Sequence, residues 1–228
     1  MPVSAELQKT ASAQVVSRER VADYGEVYTA EREVNAMLDM VKSETERVES
    51  RFLEPACGTG NFLIEVLRRK LKRIAGRYAQ DRIAYERYAL IAVGSLYGID
   101  ILEDNVMQCR TRLWTQFTNA YMNLFGFYQD ENYPESIKFV LQRNIIWGNA
   151  LTLQSAGDNP EPIIFSEWAL LQGGMIKRRD FAFNELLTYT SRADETLFSD
   201  ENDEVFVPRP VAEYPVVDYL KLWEANKY

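Results

Sequence analysis

The residues best suited to chemistry lie in one short stretch that runs from Arg51 to Leu63. An acid, Glu54, closes a short apolar run, and two glycines, Gly58 and Gly60, follow it. Glycine lets the backbone pass close to a ligand and adopt angles that other residues avoid. Strand, glycine turn and helix form the first half of a nucleotide-binding α/β unit. A tight turn without a ligand is the alternative that this pattern alone leaves open.

A second acid, Asp100, follows the apolar stretch that begins at Ser95. In nucleotide-binding α/β domains, an acid after the second strand holds the ribose hydroxyls, usually about 20 residues beyond the glycines. Here Gly60 and Asp100 are 40 residues apart, and an additional helix between them accounts for the longer gap. We expect Asp100 to be the ribose ligand. The alternative is a cap for the helix that begins near Glu103.

The chain has no histidine and only two cysteines, Cys57 and Cys109. This excludes a Ser-His-Asp triad, a Cys-His pair, a histidine-ligated metal and a four-ligand zinc site. Acid–base work would therefore fall to carboxylates, lysines, tyrosines or the backbone. We expect no metal.

The spacing of apolar residues predicts the elements that must position these groups. Helices are expected over residues 61–74, 81–93 and 103–117, and strands around residues 52–53, 95–101, 144–149 and 162–165. Residues 173–181 read as a hairpin or an exposed basic turn followed by a helix. Strands that alternate with helices predict an α/β fold, with a mostly parallel sheet and helices on both faces.

Four ordered motifs carry a resemblance to a known family. They are Gly25–Thr29, Glu54–Phe62, Tyr97–Ile101 and Trp147–Leu151. Together they resemble the S-adenosylmethionine-dependent adenine-N6 DNA methyltransferases of restriction–modification systems, over roughly residues 20–155. The resemblance implies a Rossmann-like class I methyltransferase fold.

The resemblance also implies S-adenosyl-L-methionine as the cofactor. The positions carried over are Tyr28, Thr29, Glu54, Ala56, Gly58, Gly60, Asp100, Ile101, Asn149 and Ala150. Two positions depart from the family pattern: Ala30 replaces a proline in the loop over the methionine end, and Asn149 replaces the acid that accepts from the adenine amine. An amide oxygen can accept the same bond, so we expect binding to persist but to be weaker.

The base-binding motif of the family, Asp/Asn-Pro-Pro-Tyr/Phe, is not intact. The nearest string runs from Asp158 to Pro162 and contains Asn159 and Pro160, the candidate catalytic residues, but Glu161 interrupts it and no aromatic residue follows. A flipped adenine needs stacking and acceptors for its amine. A polar turn leading into a strand is therefore the favoured interpretation of this string.

The charge is unevenly distributed. The formal net charge is -8, which argues against a stand-alone duplex binder. From Asn61 to Ala89, however, eight bases stand against three acids, and from Ser191 onward nine acids stand against four bases. The basic stretch could touch nucleic acid or be a solvated face neutralised by the acidic tail. Lys177, Arg178 and Arg179 are further candidates for contacts with phosphate.

The expected organisation is an N-terminal arm (1–20), a methyltransferase-like cofactor-binding domain (21–190) and an acidic linker with a C-terminal docking segment (191–228). No apolar run approaches the length of about 20 residues needed to span a bilayer. The N-terminus lacks the pattern of a secretory signal. We therefore expect a cytoplasmic protein without a membrane partner.

Three functions fit the sequence. The first is a working part of a DNA adenine methyltransferase whose partner subunit supplies the base pocket and target recognition. The second is a degenerate, non-catalytic module that binds cofactor or another protein. The third is methylation of a different substrate through an acceptor site that the sequence does not reveal.

Overall fold

The computed structural model describes residues 29–187 and 208–227. Tyr28, the N-terminal arm and most of the acidic linker lie outside these residues. The described chain is a mixed α/β structure with two sheets. Its helices are α1 (Glu31–Asp39), α2 (Lys42–Glu46), α3 (Asn61–Tyr78), α4 (Arg82–Gly94), α5 (Glu103–Phe125) and α6 (Asn132–Asn144), followed by 3-10 turns at Gln172–Gly174 and Leu222–Lys227.

The first sheet is mostly parallel. It contains β1 (Phe52–Glu54), β2 (Leu96–Asp100), β3 (Ile145–Asn149) and β4 (Gln154–Ser155), in that spatial order. The first three strands run parallel, and β4 is antiparallel to β3. The carboxyl ends of β1, β2 and β3 therefore meet at one edge, where the predicted cofactor residues follow each strand.

The strand register places the acids on a common face. Glu54 pairs with Gly98, and Asp100 pairs with Trp147. Because side chains alternate along a strand and match across neighbours, Glu54, Asp100 and Trp147 point to the same side of the sheet. A Cβ at Gly98 would lie 3.0 Å from the Leu63 side chain, so this is the side against which α3 packs.

Helix α3 forms because its apolar residues recur with helical spacing. The residues that it buries are Leu63, Val66, Leu67, Leu71 and Ile74. The helix continues to Tyr78, four residues beyond the predicted end. Helix α4 begins as the sequence indicates, with the Asp81 carboxylate accepting from the Ala84 amide at 3.0 Å.

The second sheet is antiparallel and was not predicted as a separate sheet. It contains β5 (Ile164–Leu170), β6 (Met175–Ala182), β7 (Ala212–Glu213) and β8 (Val217–Asp218), with β6 pairing to the other three. Residues 175–182 are therefore the second strand of a hairpin with β5, which confirms the predicted hairpin. The alternative, an exposed basic turn, is wrong over this range. A helical segment does begin at residue 183.

The second face of the first sheet packs against this part of the chain. Tyr97 and Ile99 of β2 form a buried cluster with Ile163, Phe165 and Phe183. The helices α3 to α6 contribute to the larger cluster, which continues through α1 to the C-terminal turn. In the described residues, helices thus cover one face, and strand residues with the start of the helical segment cover the other.

The C-terminal residues dock through a buried carboxylate. Glu86 on α4 accepts from the Tyr121 hydroxyl at 2.6 Å and from the Tyr219 hydroxyl at 2.8 Å. The Tyr133 hydroxyl donates to the Glu86 backbone carbonyl at 2.8 Å. Buried polar groups require such partners. Three elements that are distant in sequence are therefore joined at one point.

None of the helices within residues 29–187 and 208–227 combines the length and the apolar character needed to cross a bilayer. Over the same residues, the side chains of His, Cys, Asp and Glu form no group of three or more arranged to hold a metal ion.

Candidate cofactor site

The glycine loop leaves β1 and enters α3 over the end of β2. The Cys57 amide donates to the Ile99 carbonyl at 2.8 Å, and the Gly60 amide donates to the Cys57 carbonyl at 2.8 Å. Gly58 has φ +51° and Gly60 has φ +87°, both in the left-handed region that favours glycine. The loop is therefore a tight turn that is anchored to the neighbouring strand.

The two glycines have different surroundings. A Cβ at Gly60 would lie 2.6 Å from the Cys109 Sγ, whereas a Cβ at Gly58 would have no atom of a described residue within 4 Å. Gly60 is therefore required for close packing of the loop on α5. Gly58 is the glycine that leaves open space for a ligand beside its backbone.

Asp100 holds the glycine loop in place. Its Oδ2 accepts from the Gly58 amide at 2.8 Å, and its Oδ1 accepts from the Leu102 amide at 2.9 Å and from the Asn105 Nδ2 at 3.2 Å. Asp100 therefore anchors the N-cap residue Leu102 but is not itself the cap of the following helix. Oδ1 has two donors and Oδ2 has one, so an acceptor position remains on Oδ2.

Glu54 lies next to Asp100 with an unusual environment. Its Oε2 is buried and forms no hydrogen bond with any described residue. Burial, with the neighbouring Asp100 charge, raises the pKa of the Glu54 carboxyl to about 8. A buried carboxyl without a partner is costly. The Glu54 Oε2 is therefore an acceptor at the sheet edge that is suited to a hydrogen-bond donor or a cation.

Arg112 on α5 forms hydrogen bonds with the glycine loop. The sequence did not predict this role. The Arg112 Nη1 donates to the carbonyl and the hydroxyl of Thr59, both at 2.7 Å, and to the Asn61 Oδ1 at 2.8 Å. Arg112 lies three residues after Cys109, on the helix face that meets the loop. That spacing is the signal that could have identified it.

Thr29 comes to the same place. The Asn61 Nδ2 donates to the Thr29 carbonyl at 3.1 Å, so the start of α1 lies beside the start of α3. The structure thus brings Thr29 to the glycine loop, as the sequence predicted. Tyr28 falls outside the described residues.

An apolar surface follows the acids. The Ile101 side chain is 47% exposed, and the Trp147 Nε1 donates to the Ile101 carbonyl at 2.9 Å. Trp147 begins the last of the four sequence motifs and was not predicted to bind the cofactor. Its side chain faces the same side of the sheet as that of Asp100. Trp147 and the exposed Ile101 thus lie at the carboxyl edge of the sheet.

The Asn149 side chain accepts hydrogen bonds from the turn that follows it. Its Oδ1 accepts from the Leu151 amide at 2.9 Å and from the Thr152 amide at 3.4 Å, so both acceptor positions of the amide oxygen have a donor. Ala150 is half-buried beside it, and Ala56 is exposed in the glycine loop. Asn149 thus lies at the predicted edge of the sheet, but its oxygen bonds within its own turn.

The Asn159–Pro160 pair lies in an exposed loop that closes on itself. The Ser155 amide donates to the Glu161 carbonyl at 2.7 Å, and the Glu161 amide donates to the Ser155 Oγ at 2.9 Å. Asn159 and Pro160 are both exposed. The arrangement is the polar turn before a strand that the sequence favoured.

The basic candidates on β6 separate into two groups. The side chain of Lys177 pairs with Glu213 at 2.9 Å, and that of Arg179 pairs with Glu167 at 2.7 Å, and both are partly exposed. Arg178 points to the opposite face, is 2% exposed and pairs with Asp180 at 2.7 Å. Because its guanidinium is buried, Arg178 is corrected from a phosphate contact to an interior residue.

The two cysteines are neighbours beneath the loop. Both are free thiols and buried. The hydrogen bond with Cys109 and burial raise the pKa of the Cys57 thiol. The Cys57 thiol is therefore protonated, and the Cys109 side chain packs under Gly60.

Comparisons with known proteins bear on this geometry. The family model described as MmeI, DNA-methyltransferase domain, matches residues 28–160, which is more than half of the 228-residue chain. The match spans Thr29, the glycine loop, Asp100 and Asn149 and ends at Pro160. Searches of curated proteins and of solved structures returned no match. The matched range confirms the resemblance to restriction–modification DNA methyltransferases, and the chain belongs to the MmeI DNA-methyltransferase domain family.

Proposed function

We propose that the chain binds S-adenosylmethionine at the carboxyl edge of β1 to β3, in a Rossmann-like class I methyltransferase arrangement. The observation that carries the proposal is the Oε2 of Glu54, which is buried and has no hydrogen-bond partner among residues 29–187 and 208–227. S-adenosylmethionine has an ammonium group and a sulfonium, and a cation is the partner that this carboxyl lacks. The open side of Gly58 gives the cofactor access to the backbone of the loop.

The bound cofactor would supply a methyl group activated by the sulfonium. The residues of the chain hold and orient it: Glu54 binds the ammonium, Asp100 accepts from the ribose, and Ile101 with Trp147 covers the adenine ring. Such positioning is the main contribution of a protein to group transfer from a cofactor. No histidine is needed for it.

The proposed reaction is adenine-N6 methylation of DNA, with a partner subunit that supplies the base pocket and target recognition. The exposed turn at Asn159 and Pro160 supports this division of labour. It holds no aromatic residue, and its backbone groups at residues 155 and 161 bond within the loop. A flipped base needs stacking and two acceptors, which this loop does not offer.

The same loop also supports a second candidate, a non-catalytic module that binds cofactor or another protein. A neighbouring reading frame with an intact Asn/Asp-Pro-Pro-aromatic motif would favour the subunit over the module. Methyl transfer to duplex DNA after the two purified chains are mixed would establish the subunit.

Removal of the Asp100 carboxylate tests the cofactor proposal. We expect Asp100→Ala to weaken S-adenosylmethionine binding by roughly 1.5–3 kcal/mol, the usual range for hydrogen bonds to a charged group. Calorimetric titration of both proteins measures the change. Asp104→Ala is the matched control, since it removes an exposed acid on the following helix. No binding by the unmodified chain at millimolar cofactor would contradict the proposal.

Cofactor binding should release a proton near neutral pH. The pKa of Glu54 is about 8 in the unliganded protein, so the carboxyl is largely protonated at pH 7. An ammonium partner favours the carboxylate and lowers this pKa, and the proton leaves. We expect a release that approaches one proton at about pH 7 and vanishes well above pH 8.

Calorimetry in buffers of different ionisation enthalpy measures this release. The Glu54→Gln variant should bind more weakly and show no pH-dependent release, because it cannot ionise. Equal proton release by the variant and the unmodified chain would mean that another group titrates and that Glu54 does not meet the ammonium.

A further inference from the structure

A basic groove lies away from the cofactor edge, between α1, α2 and the second half of α3. Its volume is about 1090 Å³. Seven bases and three acids line it, although the chain as a whole has a net charge of -8. The lining bases are Lys42, Arg47, Arg68, Arg69, Lys72, Arg73 and Arg77. The groove therefore concentrates positive charge on an acidic protein.

Some of these bases are already engaged. Arg69 pairs with Asp39 at 2.8 Å and with Glu65 at 2.8 Å, and Arg68 pairs with Glu65 at 2.6 Å. These ion pairs hold α1 and α3 together along one side of the groove.

Other bases remain available. Lys72, Arg73 and Arg77 are exposed and form no ion pair with another described residue. Their spacing along α3 places Arg73 and Arg77 one turn apart, with Lys72 beside them. The row from Arg68 to Arg77 spans about 13 Å at 1.5 Å per residue. Duplex DNA carries one negative charge per about 1.7 Å of its axis, so a row of this length faces several phosphates.

Helices α1 and α3 run from the cofactor site to the groove. Thr29 at the start of α1 contacts Asn61 at the start of α3, and Asn35 on α1 accepts from the Arg69 guanidinium at 3.0 Å. Lys72 lies about 16 Å along the helix axis from Asn61. A polymer that reaches the methyl-transfer edge can therefore extend along α3 to the groove.

Two tyrosines line the far end. The Tyr78 and Tyr88 rings are stacked with centroids 4.8 Å apart and an angle of 5° between their planes. Both rings line the groove and are partly exposed. The Arg77 guanidinium lies over the Tyr78 ring, 5.3 Å from its centroid. Aromatic side chains within a basic row suit a nucleic acid better than an acidic peptide.

We propose that this groove binds the phosphate backbone of DNA flanking the methylation target. The proposal goes beyond the cofactor site but rests on the proposed function for the identity of the polymer. Contacts with phosphate fix the position of a protein on DNA and do not read its sequence. The groove thus holds the duplex, and target recognition stays with the partner.

The test is the affinity of Lys72→Ala/Arg73→Ala for a short labelled duplex, measured by fluorescence anisotropy. We expect binding to weaken at least roughly tenfold at about 50 mM salt. We also expect the slope of log K against log salt to become shallower by about 2, since each phosphate contact contributes about 0.9. Both side chains are exposed, so the fold should be retained, as circular dichroism will show.

Arg209→Ala/Lys221→Ala is the matched control, because it removes the same charge from exposed positions outside the groove. Its affinity should stay within about twofold of the unmodified chain. Equal weakening by both double variants, or no weakening by Lys72→Ala/Arg73→Ala, would overturn the proposal. Tighter binding of polyglutamate than of the duplex would identify an acidic protein as the occupant and would overturn it as well.

S-adenosylmethionine titration separates this proposal from the proposed function. Lys72→Ala/Arg73→Ala should bind the cofactor as the unmodified chain does, since neither residue touches the glycine loop. Cofactor binding without DNA binding would contradict the groove proposal and leave the proposed cofactor site standing. DNA binding through the groove without cofactor binding would contradict the proposed cofactor site and leave the groove proposal standing.

Discussion

Replacing Gly60 by Ala is expected to destabilise the protein by about 2–5 kcal/mol. The new Cβ would lie 2.6 Å from the Cys109 Sγ, and the residue would have to keep φ near +87°. The left-handed conformation costs about 1–2 kcal/mol for a residue with a Cβ, and overpacking a buried contact costs about 1–3 kcal/mol. Denaturant unfolding followed by circular dichroism measures the sum.

Gly58→Ala is the matched control. Its φ of +51° is also left-handed, but its Cβ would meet nothing within 4 Å. We therefore expect only the conformational cost of about 1–2 kcal/mol. Its larger effect should be on cofactor binding, because the methyl group enters the space proposed for the ligand.

The Cys109→Ala background isolates the steric part of the Gly60 effect. Without the Sγ, Gly60→Ala should cost about as much as Gly58→Ala does in the unmodified protein. The difference between the two backgrounds is the interaction energy of the pair, typically about 0.5–3 kcal/mol for residues in contact. The same cost of Gly60→Ala in both backgrounds would show that the thiol contact is not its cause.

This contact shows where sequence reasoning reached its limit. The glycine turn and Asp100 were predictable, because each follows a short apolar strand and carries a residue type with a known use there. The role of Gly60 was not, since Cys109 is 49 residues away and only the packing of α5 brings it beneath the loop. The local sequence pattern predicts the glycine turn, whereas tertiary packing determines which atoms lie next to each glycine.

The end of α3 shows a second limit. Gly76 predicts a stop, but the helix continues to Tyr78. Glycine inside a helix costs only about 1 kcal/mol relative to alanine. Buried Ile74 and the stacking of Tyr78 on Tyr88 hold the last turn on the protein, so packing overrides the local preference.

Strand β6 was predicted only as one of two alternatives, because a buried ion pair hides its period. Burial alternates from Met175 to Asp180, and two of the three inward residues in this range, Arg178 and Asp180, are charged. Hydrophobic alternation therefore fails as a signal. Charged residues are almost never fully buried unless they are paired, so an exposed turn stayed open beside the hairpin.

Removal of the Asp180 carboxylate should have the largest effect on stability. The Arg178 Nε and Nη2 donate to its two oxygens at 2.9 Å and 2.7 Å, Ser166 donates at 2.6 Å, and Tyr214 donates at 3.0 Å. Asp180→Ala leaves the Arg178 guanidinium buried without its carboxylate. We expect a loss of about 3–5 kcal/mol in the free energy of unfolding, measured by denaturant titration.

The same pair should make stability depend on acid pH. Burial alone would raise the pKa of Asp180, but hydrogen bonds from Arg178 and Ser166 and the charges of Arg178 and Arg143 lower it below its usual value. A carboxyl with a depressed folded pKa stabilises the protein above its unfolded pKa of about 4. This contribution is lost as the pH falls through the folded pKa, and Asp180→Ala should lose that part of the acid dependence.

Two variants distinguish a buried charge from a merely lost contact. Glu167→Ala breaks the partly exposed pairs with Arg179 and Arg51, and a surface pair of this kind contributes about 0–1 kcal/mol. Arg178→Met/Asp180→Leu replaces both charges by apolar groups and should cost less than Asp180→Ala alone, since no charge is left unpaired. A double variant as unstable as Asp180→Ala would show that the network matters through its shape and hydrogen bonds. The uncompensated guanidinium would then not be the cause.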